Sequence, residues 1–191
     1  MPPKTKFSRE DIVNAAFEIA ESEGFEAITA RSVAEQLGCS VAPIYVNFEK
    51  IDDLVEAVVQ KVQAISEHML ARQTGESLFE NLGRASLAFA REYPVLVREF
   101  VLKPNPHMAA YETVEESVIA DLAKDEDLRE WTDHDRRRLF FVMRALQTGM
   151  MVLLANGHMP SWLGDEEAEQ LLMDVGEDLV FVGNAKRARG N

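Results

Sequence analysis

The chain has 191 residues, 47% of them hydrophobic, and 33 Asp and Glu against 20 Lys and Arg give a formal net charge of −13 at pH 7. That composition supports a sizeable core in one large domain, or in a small domain joined to a larger one. No apolar run approaches transmembrane length, the N-terminus lacks a signal-peptide pattern, and a cytoplasmic protein with no membrane partner is expected. The single cysteine, Cys39, permits no internal disulfide and no thiolate metal cluster. The net charge opposes a polyanion partner, and the first fifty residues, with five Lys and Arg against eight Asp and Glu, are also net −3. Within them Lys4, Lys6, Arg9, Arg31 and Lys50 are placed to form a local positive rim, while Glu18, Glu21, Glu23 and Glu26 gather toward the far end of the first helix.

Residues 1 to 6 read as a loose arm. Ser8 and Asp11 form a capping box, Phe7 staples onto Ile12, and the first helix runs to about Glu23 before Gly24 stops it. Its face carries Ile12, Val13, Ala16, Phe17 and Ala20; Phe25 and Ile28 join a three-helix core with Val33, Leu37, Ile44 and Phe48. That core is small, so the segment leans on the helices C-terminal to it. Thr29 caps a second helix, Gly38 ends it with a positive φ, and Ser40 caps a third helix beginning at Val41, with Pro43 at about its third position. The third helix turns Val41, Ile44 and Phe48 toward one side and Ala42, Pro43, Val46 and Asn47 toward the other. This is a helix-turn-helix arrangement, with a bracing helix and a small-residue face for a DNA major groove.

A long fourth helix over 51–71 carries Leu54, Val55, Val58, Val62, Ile65 and Met69 and connects this module to a larger body. The fifth covers 78–93 up to Pro94, and a short sixth holding Val95, Leu96, Phe100 and Val101 ends at Lys103 because Pro104 and Pro106 forbid continuation. A seventh helix spans 108–123, and the acidic segment 124–130 is a solvated connection. Thr132 and Asp135 open the eighth, the most apolar, which runs to about Asn156. The ninth spans about 166–182, and the polar tail NAKRARGN frays.

The run Thr29, Arg31, Val33, Ala34, Leu37, Gly38, Ser40, Ile44, Tyr45 and Phe48, followed by Leu54, resembles the DNA-binding signature of the TetR family of transcriptional regulators. The segment from Ile12 to Thr29 also resembles that family's first helix and the link to its second. The resemblance implies an all-α fold, with a three-helix helix-turn-helix module over 1–49 and a larger six-helix ligand-binding and dimerisation body over 50–191, helix four being the connector. It implies that Thr29 and Tyr45 contact phosphates, that Arg31 anchors the backbone, and that Ser40, Val41, Ala42, Pro43 and Asn47 line the groove. One position departs from the family. Its usual lysine falls on Ile51 here, and Lys50, one residue away, points about 100 degrees around a helix from that place.

No HExxH, nucleophile elbow, phosphate-binding glycine loop or dinucleotide fingerprint is present, and the four histidines are far apart in sequence. A non-enzyme without a cofactor or metal is expected. Phe89, Tyr93, Phe100, Met108, Tyr111, Phe140, Met143 and Met150 are candidates to line a pocket for a small apolar or aromatic effector, though core packing accounts for most such residues. Helix eight has Leu139 to Val142 and Met150 to Leu154 consecutively, too much apolar surface for one packed face. Ala145, Gly149 and Val152 there, with Leu171, Val175 and Leu179 on helix nine and Gly176 for close approach, are the expected homodimer interface. The function these features imply is a ligand-responsive repressor that binds a near-palindromic operator in double-stranded DNA as a dimer. The alternative is a helical regulator that has lost DNA binding and acts through protein contacts.

Overall fold

The structure, a computed structural model, describes residues 7–75, 77–104 and 110–190, apart from the side chains of 110–114 and 190. The expectations for Lys4, Lys6, Met108 and the side chain of Tyr111 lie outside the described residues. Every regular element among those described is helical: α1 (Arg9–Glu23), a 3-10 turn (Phe25–Ala27), α2 (Ala30–Leu37), α3 (Ala42–Asn47), α4 (Ile51–Ala71), α5 (Leu78–Glu92), α6 (Pro94–Val97), α7 (Ala110–Leu122), α8 (Asp133–Ala155) and α9 (Asp165–Gly190).

Local chemistry sets most boundaries. The Asp11 amide donates to Ser8 Oγ at 3.1 Å and the Ser8 amide to Asp11 Oδ2 at 2.8 Å, closing the capping box at the start of α1. The Ser8 hydroxyl, donating to Asp11 Oδ2 at 2.7 Å, and then the Ser8 amide hold the Asp11 carboxyl below its ordinary pKa. Thr29 accepts from the Ser32 amide, Ser77 from Glu80 and Thr132 from Asp135, so three more helices begin on a hydroxyl cap. Gly24 (φ 91°) ends α1 and Gly38 (φ 63°) ends α2, both in backbone regions that disfavour a side chain.

Two apolar clusters fill the interior. The first joins α1, α2 and α3 to α4, α5 and α6 through fully buried Ile12, Ala16, Val33, Ile44, Leu54, Val58, Ala90 and Leu96. The second lies between α5, α7, α8 and α9 around Leu87, Val118, Met143 and Leu172. The small N-terminal core thus continues directly into the body.

Several expectations are corrected. Ser40 caps nothing. Val41 already has helical φ and ψ and is the N-cap of α3 without a side-chain hydrogen bond, and Pro43 is the second helical residue. The sixth helix is only Pro94–Val97, then widens into a π-helical turn over Arg98–Leu102. The segment 124–130 is not fully solvated, because Leu128 is buried in the second cluster. Gly176 is covered within its own chain, where an added Cβ would lie 3.3 Å from Met143 Cε. Although no continuous apolar run is that long, an 18-residue stretch of α8 has a mean hydropathy of 1.4, in the range of a membrane-spanning helix. It is interrupted by Arg138 and Arg144, and its inward side is packed in the second cluster.

The tail does not fray at Val182. α9 continues to Gly190 because Trp131 lies across it at Gly183, where there is no room for a Cβ. The indole N–H donates to Asn184 Oδ1 at 2.6 Å, and Asn184 in turn donates to the Asp127 carbonyl. Arg187 lies over the indole at 5.0 Å and pairs with Asp135 at 2.5 Å. The Asp135 carboxyl is held below its ordinary pKa, first by Thr132 and also by Arg187. Its contribution is therefore complete above the ordinary aspartate range and is lost as pH falls through the lower, folded value. Trp131→Ala is expected to cost about 3–5 kcal/mol in urea unfolding, whereas Trp131→Phe, losing the Asn184 bond, should cost about 1 kcal/mol. Hydrogen exchange should accelerate over 183–189 in both variants, and unchanged protection there would contradict the clasp.

Candidate nucleic-acid interface and effector pocket

α2 is eight residues and α3 six, too short to persist alone. Val33, Ala34 and Ile44 are buried on one side of the pair, and Phe48, just past α3, closes the same core. The opposite side is exposed: Thr29, Arg31, Ser40, Val41, Ala42 and Tyr45 face solvent, Pro43 and Asn47 are half-buried, and Lys50 is exposed at the cap of α4. Ile51 packs partly into the core instead. Cys39, half-buried, packs against the same core.

Two of these side chains already have partners. Arg31 Nε donates to Glu35 Oε1 at 3.1 Å, one turn along α2. Asn47 Nδ2 donates to the Pro43 carbonyl at 2.8 Å, so its amide folds back on its own helix. Val46 is 69% exposed, the most open large hydrophobic of α3, and it joins the exposed residues of this face although the family resemblance does not include it. Its signal is present in the helical pattern, which puts it on the small-residue face. Arg9 lies over the Phe48 ring at 4.7 Å and adds a cation beside this surface.

A cavity of about 290 Å³ lies between α4, α5, the π-helical turn and α8. Phe89 and Phe100 line it with Leu70, Leu82, Val97 and Met151. The other expected pocket residues are elsewhere: Phe140 and Met143 are buried in the second cluster, and Tyr93 packs behind Phe89 in the first. Side-chain direction separates them, because Phe89 and Tyr93 are one turn apart and only Phe89 turns toward the cavity. The Tyr93 hydroxyl donates to Glu92 at 2.8 Å. Burial first, then Glu92 and Glu21, push its pKa up to about 12.

The pocket walls touch the N-terminal module through rings. Phe89 lies 5.1 Å from Tyr93, which meets Phe17 of α1 edge-on at 6.0 Å; Phe100 meets Phe25 edge-on at 5.3 Å. Beside that pair, Glu99 fills the space over Gly24, where a Cβ would come within 2.7 Å of its carboxylate. Lys103 bonds Glu99 at 2.7 Å and reaches Glu26 at 3.7 Å, and Glu99 above all holds its pKa above the ordinary lysine value. Arg98 ties the same turn to the Ala155 carbonyl at the end of α8.

The expected interface residues on α8 and α9 divide. Ala145 and Gly149 are exposed, and a Cβ at Gly149 would meet nothing within 4 Å, so that face is open among the described residues. Val152 is half-buried and Leu171 exposed. Val175 and Leu179 pack partly against the second cluster instead. Phe141 (71% exposed), Phe181 (73%), Val142, Leu153 and Val182 add to the open apolar surface. Phe181 is outside the expected set, although its place in the run LVFV signals apolar surface beyond one stripe.

A short helix-turn-helix with an open outer face, built into an all-helical body, is the architecture shared with helix-turn-helix regulators. Residues 12–58 match the family described as bacterial regulatory proteins, tetR family. It is 30% identical over 98 residues to the HTH-type transcriptional repressor DrrR1 of Streptomyces coeruleorubidus, a match covering 50% of this chain and 36% of that relative. In fold it is similar to a transcriptional regulator from Rhodococcus sp. Rha1, with TM-score 0.68, 17% identity, and 93% and 97% of the two chains covered. A TetR-like transcriptional regulator from the same source gives TM-score 0.63 and 20% identity over 93% and 96% of the chains.

If the Phe25–Phe100 contact joins the module to the body, a double-mutant cycle with leucine at each position should show a coupling of about 1 kcal/mol in unfolding free energy. Additivity within about 0.3 kcal/mol would mean that the rings do not support each other.

Proposed function

We propose that the protein is a ligand-responsive transcriptional repressor that binds a near-palindromic operator as a homodimer. The observation that carries this reading is the uncovered face of α3 in a TetR-family helix-turn-helix. Ser40, Val41, Ala42, Pro43, Tyr45 and Val46 are small or flat enough to approach base edges, with Thr29, Tyr45 and Lys50 at the margins for phosphates. Asn47 then presents its carbonyl oxygen and its second amide N–H, the first being engaged by Pro43. In this reading residues 1–49 bind DNA, 50–191 bind the effector and the second subunit, and α4 connects the two. Two recognition helices enter successive major grooves roughly 34–36 Å apart. A dimer also covers the open apolar side of α8 and α9, a surface too broad to be left in water.

An effector in the cavity acts on the walls formed by Phe89 and Phe100. Their contacts with Tyr93, Phe17 and Phe25 give the module a physical connection to the pocket. No catalytic step is assigned, and among the described residues no group of His, Cys, Asp and Glu is arranged to hold a metal.

A second reading, regulation through protein contacts without DNA, is favoured by the net charge of −13 and by the Arg31–Glu35 pair. Glu35→Gln discriminates between the two. It releases Arg31 and removes a negative charge, so DNA binding should tighten a few-fold, and log affinity against log salt should steepen by about one per protomer. Arg31→Ala should weaken specific and random DNA alike, while Val46→Ala should mainly shift base preference. Band-shift titrations on DNA flanking the protein's gene measure all three. No site-specific complex at low salt, even with Glu35→Gln, would favour the second reading. Light scattering at micromolar protein should give twice the mass of one chain, and Gly149→Arg should halve it.

A further inference from the structure

We propose that the effector is a hydrophobic cation: a body of two or three rings, or of similar bulk, carrying a protonated amine directed at Glu67. The inference rests on reading the α4–α5–α8 cavity as the effector site. Its inner wall is apolar, with Leu70, Leu82, Phe89, Val97, Phe100 and Met151. Its polar lining residues are Gln63, Ser66 and Glu67 on α4 and Ser86 on α5. Gln63, Ser66, Glu67 and Leu70 stand at i, i+3, i+4 and i+7, and so share the face of α4 that borders the cavity.

Among the described residues Glu67 is the one ionisable side chain lining this cavity, and no described Lys or Arg lines it. Four bases of the surrounding helices are committed elsewhere. Lys61, on the same helix, bonds Asn14 and lies over the Phe17 ring. Arg84 pairs with Glu80, Arg91 with Asp165 and Glu169, and Arg98 holds the Ala155 carbonyl. No salt bridge engages Glu67 among the described residues, so its charge is available to a ligand.

The three ligand charges differ in consequence. An anion entering this cavity meets Glu67 in a molecule already at net −13, and both the local and the summed potential oppose it. A neutral ligand gains only apolar burial. A cation gains that burial plus attraction to Glu67, strengthened as the ligand displaces water from the cavity. The faces of Phe89 and Phe100 also favour a cation near them. A volume of about 290 Å³ suits a compact ring system rather than a long extended chain.

The test uses three fluorescent probes with one ring system: 9-anthracenylmethylamine, 9-anthracenemethanol and 9-anthracenecarboxylate, titrated at pH 7 with the full chain. The alcohol reports on the cavity, and the difference between amine and carboxylate reports on charge. The amine should bind about tenfold more tightly than the carboxylate, with the alcohol between them. Glu67→Gln should bring the amine to the level of the alcohol and leave the alcohol unchanged. Glu166→Gln, at an exposed site on α9, should leave the preference intact. Ser86→Trp, filling the cavity, should abolish binding of all three. Failure of the alcohol to bind, or its binding undiminished in Ser86→Trp, would overturn the effector-pocket reading and this inference with it. Alcohol binding without a preference for the amine, or a preference that survives Glu67→Gln, would overturn the charge assignment alone.

Discussion

Ile12, Ala16 and Ala20 have no exposed surface because α1 is enclosed by α2, α4 and α6 at once. The rest of the molecule depends on that burial. Helices of six and eight residues do not hold their shape in water, and their own shared core is only a few side chains. The alanines let α4 and α6 come close, and Phe17 and Ile19 close the sides of the helix. The recognition face is therefore presented by a surface whose far side belongs to the body. A change in the packing of α4 or α6 has no independent domain boundary at which to stop.

That shared core explains why the π-helical turn matters. An extra residue in the turn re-aims its side chains relative to an α-helix. Phe100 and Val101 line the cavity, while Glu99 covers Gly24 and Phe100 meets Phe25. The turn is held at both ends, by Arg98 on α8 and by Lys103 on Glu26. Three elements with different roles thus meet within five residues. The contact at Gly24 is also intolerant of substitution, since its φ of 91° and the carboxylate above it both exclude a side chain.

Electrostatics divides the molecule in a similar way. The acidic excess is largely carried by exposed helix faces and N-terminal turns, where carboxylates sit favourably on the helix dipole. Arg137 is typical of the body: it bonds Glu116, Asp133 and Glu115 together, and Glu116 first, then Asp133, hold its pKa above the ordinary arginine value. Beside the recognition helix the cations are fewer and less committed, with Lys50 exposed and Arg9 resting on a ring. Only Arg31 is visibly restrained by an acid of its own helix.

The helices, most of their caps and the family were legible from residues alone, because hydroxyl caps, stopping glycines and apolar repeats act over four or five positions. Ser8 with Asp11, Thr29, Gly24 and Gly38 all behave as their local chemistry requires. What tertiary structure decided lies where the outcome depends on a distant neighbour. The polar tail is helical because Trp131, some fifty residues earlier, lies on Gly183 and bonds Asn184. Phe89 faces a cavity and Tyr93 does not, because their directions are chosen by α1 and α4 rather than by their own helix. Phe140 and Met143 are core because α5 and α9 cover them, whereas Phe141, beside them, stays open. Periodicity ranks faces by hydrophobicity, but only packing assigns each face its neighbour, since burial energy depends on area and not on which partner supplies it.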